Sequence, residues 1–136
     1  MNPSEFRSSR KFADTPFGRI AYIEQGAGPA TLFLHGLPLC GYQWRGVIED
    51  LAPVRRCIAL DEIGLGYTEV AAGQEVSFAA QARMIAAFLD AAKIDTEITQ
   101  LGQTPVGPKD FAGWSAKITT GGTRRLSAHG QRLSVE

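Results

Sequence analysis

Apolar and polar residues alternate without clear order up to residue 11, and then fall into short apolar runs and longer stretches with a helical period. Residues 12–16 and 19–24 flank Phe17-Gly18, where glycine supplies a hairpin turn between two strands. Gly26-Ala27-Gly28-Pro29 is a loop. Ala30–Leu34 is a short apolar run, the mark of a strand buried on both faces. Over 42–51, Trp44, Val47, Ile48 and Leu51 recur at helical spacing and predict one apolar helix face, ended by Pro53. Arg56–Leu60 repeats the buried-strand pattern and runs into Asp61-Glu62-Ile63-Gly64-Leu65-Gly66, a glycine-bearing loop. Ser77 is placed to cap the strongest helix, over 78–92. Its Phe78, Ala82, Ile85, Phe88, Leu89 and Ala92 form a stripe, with Gln81, Arg83 and Asp90 off it. Residues 98–101 predict a third, weaker strand, interrupted by Thr99 and Gln100.

Strands alternating with helices predict parallel βαβ units in a three-layer α/β fold, right-handed crossovers placing successive strands side by side. From Gln103 the pattern stops. Residues 103–136 are rich in Gly, Ser, Thr and Arg and carry scattered apolar residues with neither period. No segment there buries enough apolar surface to offset its ordering entropy. The expected organisation is a flexible N-terminus over 1–11, an α/β domain over 12–102, and an irregular tail over 103–136. That tail is expected to be poorly ordered, with at most a short element near 116–120.

The 136 residues make one modest domain with room for a single core. Lys+Arg and Asp+Glu both number 14, so the basic excess that marks a nucleic acid partner is missing. No apolar run approaches the roughly 18 residues needed to span a bilayer. The polar start, MNPSEFRSSRKFAD, lacks the apolar core of a signal peptide. Cys40 and Cys57 are too few for a disulfide framework and too isolated for a metal box, and read as reduced thiols. The expectation is a cytoplasmic protein with no metal, no nucleic acid partner and no membrane partner.

Ligands of an open α/β sheet bind beyond the carboxyl ends of its strands. His35-Gly36-Leu37-Pro38 and the Asp61 to Gly66 loop both follow strands there, so they should line one edge. Gly36 permits a sharp turn or close backbone approach, and a backbone N–H held nearby could receive a developing oxyanion. A structural histidine in a strand-to-loop corner fits the same spacing.

FADTPFGRIAYIEQGAG, LFLHGLP with a downstream Trp44-Arg45, RCIALDEIGLGYT, and a helix ending LDAAKID occur in that order. Together they resemble the N-terminal portion of α/β-hydrolase-fold enzymes, in the branch of haloalkane dehalogenases and epoxide hydrolases, over residues 12–101. The resemblance implies a partial α/β-hydrolase fold: the N-terminal strands and first two helices of a three-layer sandwich. It implies that His35 and Gly36 shape the oxyanion-hole loop, that Leu37 offers a backbone N–H, and that Pro38 fixes the loop. His35 is then structural and not a base. Asp61, Gly64 and Gly66 organise the second loop, Trp44 packs in the core, and Glu62 and Tyr67 lie solvated on the same rim. Such enzymes hydrolyse a small organic substrate (haloalkane, epoxide or ester) through a covalent ester and then water, without metal or cofactor. Dehalogenases place Asn after His-Gly to bind halide; Leu37 has no side-chain donor, which counts against dehalogenation.

The family's nucleophile stands on a turn of the form G-x-Nu-x-G after the next strand. Here the run is Gly102-Gln103-Thr104-Pro105-Val106. Thr104 occupies the place of Asp or Ser, Pro105 brings no N–H, and Val106 replaces the last glycine. Ser115 follows no strand and His129 sits in the tail, so no complete set of nucleophile, acid and base is expected. One reading is hydrolase ancestry with an incomplete catalytic set, as a truncated or frameshifted reading would leave it. The other is a non-catalytic fragment or small interaction module that self-associates through an exposed sheet edge.

Overall fold

A computed structural model describes residues 1–36, 38–94, 98–102, 126–128 and 131–133. The chain starts with helix α1 (Pro3–Ser8), where the sequence offered only a flexible lead-in. Asn2 caps it by accepting from the Ser4 and Glu5 amides, and Glu5 returns a bond to the Asn2 amide. The hairpin follows: β1 (Lys11–Thr15) and β2 (Gly18–Gln25), with Thr15 opposite Gly18. Gly18 holds φ +122, and a Cβ there would lie 2.1 Å from the Glu69 carbonyl oxygen, so the corner requires glycine. Next come β3 (Ala30–Leu34), a 3₁₀ turn (Gly41–Trp44), α2 (Arg45–Leu51) and β4 (Arg56–Leu60). The described chain continues through β5 (Glu69–Val70), α3 (Phe78–Ala91), β6 (Ile98–Gly102), β7 (Leu126–Ala128) and β8 (Gln131–Leu133).

One sheet carries these strands in the order β1-β2-β4-β3-β6-β7-β8, with β5 against β2. The pairs β3–β4, β3–β6 and β6–β7 are parallel, and the others antiparallel. Successive strands are not all neighbours as expected: β6 passes over β3 and pairs with its far edge, not with β4. The tail contributes β7 and β8, which carry no strand signal in the sequence. The expected element near 116–120 lies outside the described residues.

Period two along the strands separates two apolar faces. Leu32 and Leu34 of β3 and Ile58 and Leu60 of β4 pack with Ile85, Phe88 and Leu89 of α3. Phe33, Cys57 and Ala59 point the other way, against Phe6, Trp44 and Ile48. Helices therefore cover both faces, the three-layer α/β arrangement that the alternation predicted. Two expectations fail locally. Residues 42–44 form a 3₁₀ turn, and Val47 is exposed because the sheet reaches only the Trp44–Ile48 side of α2. Gln81 is buried, because a loop folds back over its side of α3.

Candidate functional site

The crossing of β6 over β3 creates the site's location. From β3 the chain turns one way, through α2 to β4; from β4 it turns back, through α3, to the other edge of β3. A crevice opens at such a reversal, beyond the carboxyl ends of the strands. Leu34 is in register with Gly102, so β3 and β6 end level at this edge, and His35 follows directly.

His35 is wholly buried. Its Nε2 accepts the Glu62 backbone N–H at 3.0 Å, and its Nδ1 lies 3.1 Å from the Gly36 carbonyl oxygen. The first bond leaves Nε2 without a proton, so Nδ1 carries it and donates to Gly36. Burial holds the imidazole below its ordinary pKa against the opposing Gly36 bond and Asp61 charge. The Gly36 N–H is itself engaged, donating to Gln43 Oε1 at 3.2 Å. Pro38 lies at the rim, while Leu37 lies outside the described residues.

Asp61 closes the second loop. Its Oδ1 accepts the Gly41 amide at 2.7 Å and its Oδ2 the Tyr67 amide at 2.9 Å, joining the loops after β3 and β4. Thr68 Oγ1 donates to the Asp61 carbonyl at 2.6 Å and accepts the Ala21 amide at 3.0 Å. Gly66 holds φ +56, and a Cβ there would lie 2.2 Å from Asp61 Oδ2. Gly64 (φ +80) takes the other left-handed position of the turn. The two loops thus meet as expected.

Glu62 departs from expectation. It is 7% exposed, not solvated; its Oε1 has no hydrogen-bond partner, and burial pushes the carboxyl up to about 7. Tyr67 is exposed, with the Arg10 guanidinium 3.5 Å from its ring centre. Gln81 clamps the loop from α3: its Oε1 accepts the Ile63 amide at 2.9 Å and its Nε2 donates to the Ile63 carbonyl at 3.0 Å.

A cleft of about 540 Å³ opens beside the first loop, lined by Pro38, Leu39, Cys40, Tyr42, Gln43 and Gly66 among others, a size suited to a small molecule. Among the described residues no group of three or more His, Cys, Asp or Glu could hold a metal ion. Both cysteines are free, and no described helix is long and apolar enough to cross a membrane. Thr104 lies outside the described residues. Sequence reasoning passed over Gln43 and Thr68 and set Gln81 off the apolar stripe; all three make hydrogen bonds to backbone groups of other elements.

A mixed sheet with a topological reversal, a histidine-glycine corner and an aspartate-organised second loop define a class. The alpha/beta hydrolase fold family matches residues 29–102, which include β3, β4, β6 and both loops, and the chain belongs to that family. It is 32% identical over 111 residues to haloalkane dehalogenase 2 of Mycobacterium tuberculosis, covering 82% of this chain and 38% of that protein. A loop variant of a haloalkane dehalogenase from Bradyrhizobium elkanii superposes with TM-score 0.65 and 33% identity, over 70% of this chain and 31% of that one. A thermophilic esterase from Thermogutta terrifontis gives TM-score 0.60 and 26% identity, over 68% and 35%. The chain therefore spans well under half the length of these relatives.

Proposed function

We propose that the loops after β3 and β4 are the oxyanion side of an α/β-hydrolase site, with Leu37 supplying the backbone N–H. The ancestral reaction is hydrolysis of a small organic substrate, a haloalkane, epoxide or ester, through a covalent ester that water then breaks. The observation that carries this reading is the loop junction itself. His35 and Asp61 lock the loops together, the Gly36 amide is engaged by Gln43, and the donor at Leu37 is what the family resemblance implies. Leu37 offers no side-chain donor to a halide, which counts against dehalogenation and leaves an epoxide or ester at least as well supported as a haloalkane.

Thr104, at the position of the family nucleophile, has Pro105 and Val106 beside it, and the chain is inactive alone. Purified protein should turn over haloalkane, epoxide and aryl-ester panels no faster than buffer. Turnover that survives repurification and is lost in Thr104→Ala would overturn the inactivity. The change of sequence character after Gly102 fits a frameshifted or truncated gene. Its test is the nucleotide sequence there, which in another frame should encode a G-x-D-x-G or G-x-S-x-G turn.

A second reading, a non-catalytic interaction module, draws on β1, whose outer edge pairs with no other described strand. Self-association through that edge would make sedimentation concentration-dependent; a clean monomer would exclude it. Two free cysteines fit a reducing, cytoplasmic setting.

A further inference from the structure

We infer that the cleft beside Pro38 binds a small organic carboxylate, its charge on the Arg45 guanidinium and its apolar body on the walls beside Tyr42. Arg45 lines this cleft of about 540 Å³ together with Pro38, Leu39, Cys40, Tyr42 and Gly66. Arg45 is exposed, so a ligand in the cleft can meet it. Its guanidinium is held in place: Nη1 donates to the Tyr42 carbonyl at 3.2 Å, and the guanidinium carbon lies 4.5 Å from the Tyr42 ring centre. Among the described residues that bond spends one of the five N–H donors an arginine carries. The two contacts fix the fork before a ligand arrives, which lowers the ordering cost of binding.

The charge balance points to an anion. No Asp or Glu lines the cleft, and Arg45 makes no ion pair among the described residues. Glu49, one turn along α2, takes the Met1 ammonium instead. The Asp61 carboxylate lies against Gly66, but it is 2% exposed and both its oxygens accept backbone amides. Two more cations stand nearby. Tyr67, next to the lining Gly66, has the Arg10 guanidinium 3.5 Å and the Arg7 guanidinium 6.0 Å from its ring centre. Neither arginine has an ion-pair partner among the described residues. Phe6 joins the two groups, its ring centre 5.1 Å from that of Tyr42 and 5.6 Å from the Arg10 guanidinium. One run of rings thus gathers three guanidiniums in a chain whose formal net charge is zero. A carboxylate meets such a fork in two parallel bonds, stronger than bonds between neutral groups. Pro38, Leu39 and Tyr42 supply contacts for an apolar body, and the volume suits a small molecule. In the proposed hydrolase the same charge would mark the substrate, and that link alone rests on the reading above.

The test is titration of the full chain with pentanoate, followed by NMR, with pentanamide as its neutral counterpart. Pentanoate should shift the Arg45 Nε–H and the Gly66 amide signals saturably. Read on the Gly66 signal, it should bind Arg45→Gln about tenfold or more weakly than the native chain. Leu39→Trp fills the cleft from an exposed position while keeping Arg45, and should weaken binding as well. Equal binding of pentanoate by native and Arg45→Gln protein overturns the proposal. So does pentanamide binding as tightly as pentanoate, unchanged binding in Leu39→Trp, or no saturable shift. No arm reads hydrolytic turnover, so failure of binding and failure of the proposed reaction are told apart.

Discussion

The Glu62 backbone N–H donates to His35 Nε2 at 3.0 Å, joining the chain just after β4 to the chain just after β3. A general base needs a lone pair free to take a proton, and this lone pair is occupied. With Nδ1 turned to the Gly36 carbonyl, both ring nitrogens serve the backbone. The histidine splices two loops and holds the edge of the sheet on which the family builds its chemistry.

Replacing His35 by Ala leaves the Glu62 amide unpaired, removes one of two bonds on the Gly36 carbonyl, which keeps the Leu39 amide, and opens a hole in a wholly buried place. The expected loss is about 2–4 kcal/mol, read by urea denaturation. Nitrogen NMR of the native chain should report Nε2 as the unprotonated nitrogen at neutral pH. A protonated Nε2, or a loss below about 0.5 kcal/mol, would remove the splice from the account.

Two glycines give opposite signs under the same substitution. In Gly66→Ala the new Cβ collides with the Asp61 carboxylate from a left-handed backbone, so Asp61 must release Gly41 or Tyr67. Destabilisation of about 2 kcal/mol or more is expected. Gly46 lies in α2 with nothing within 4 Å of its Cβ position, so Gly46→Ala should stabilise by roughly 0.5–1 kcal/mol. Thermal melts of the two variants shifting in the same direction would contradict this.

Legibility in the sequence followed the range of the interactions. β3 and β4 could be read to the residue because continuous apolar runs mark strands covered on both sides. The long helix was legible from its period and the Ser77 cap. The Asn2-x-x-Glu5 capping box was also present to be read, though α1 is too short to show a period. The order of strands was not legible, because nothing local says that β6 must cross β3. The importance of Asp61 came from resemblance alone. Gln43 and Thr68 had no signal at all: each serves a backbone amide on another element, Thr68 reaching one 47 positions away. Glu62 and Gln81 were misplaced for a shared reason. Polarity argues for solvent, and only the folding of the second loop against α3 buries them.

Glu62 and His35 tilt stability with pH in opposite directions. The folded Glu62 holds its proton up to about 7, above the ordinary 4.5, so folding favours the protonated form. Its contribution is lost as pH rises through that interval, by up to about 3 kcal/mol. The imidazole is held below its ordinary 6.5, so folding favours the neutral form and stability is lost as pH falls below that value. Denaturation midpoints of Glu62→Gln should therefore exceed the native ones at neutral pH and converge with them toward pH 4.5. A native-to-variant difference that does not change with pH would show that Glu62 ionises freely.

From α3, Gln81 makes two side-chain bonds to the Ile63 backbone, meeting the amide and carbonyl as a neighbouring strand would. In Gln81→Met the volume and helix propensity are nearly kept while both bonds vanish. Two backbone groups buried in the native packing then lose their partners, for a loss of about 2 kcal/mol. Hydrogen exchange separates this from general weakening: the Ile63 amide should exchange much faster, with the Leu32 and Ile58 amides slowed or speeded only by the change in global stability. Uniform acceleration across all three would mean that the loop and the sheet open together, and that Gln81 is ordinary core packing with no separate hold on the loop.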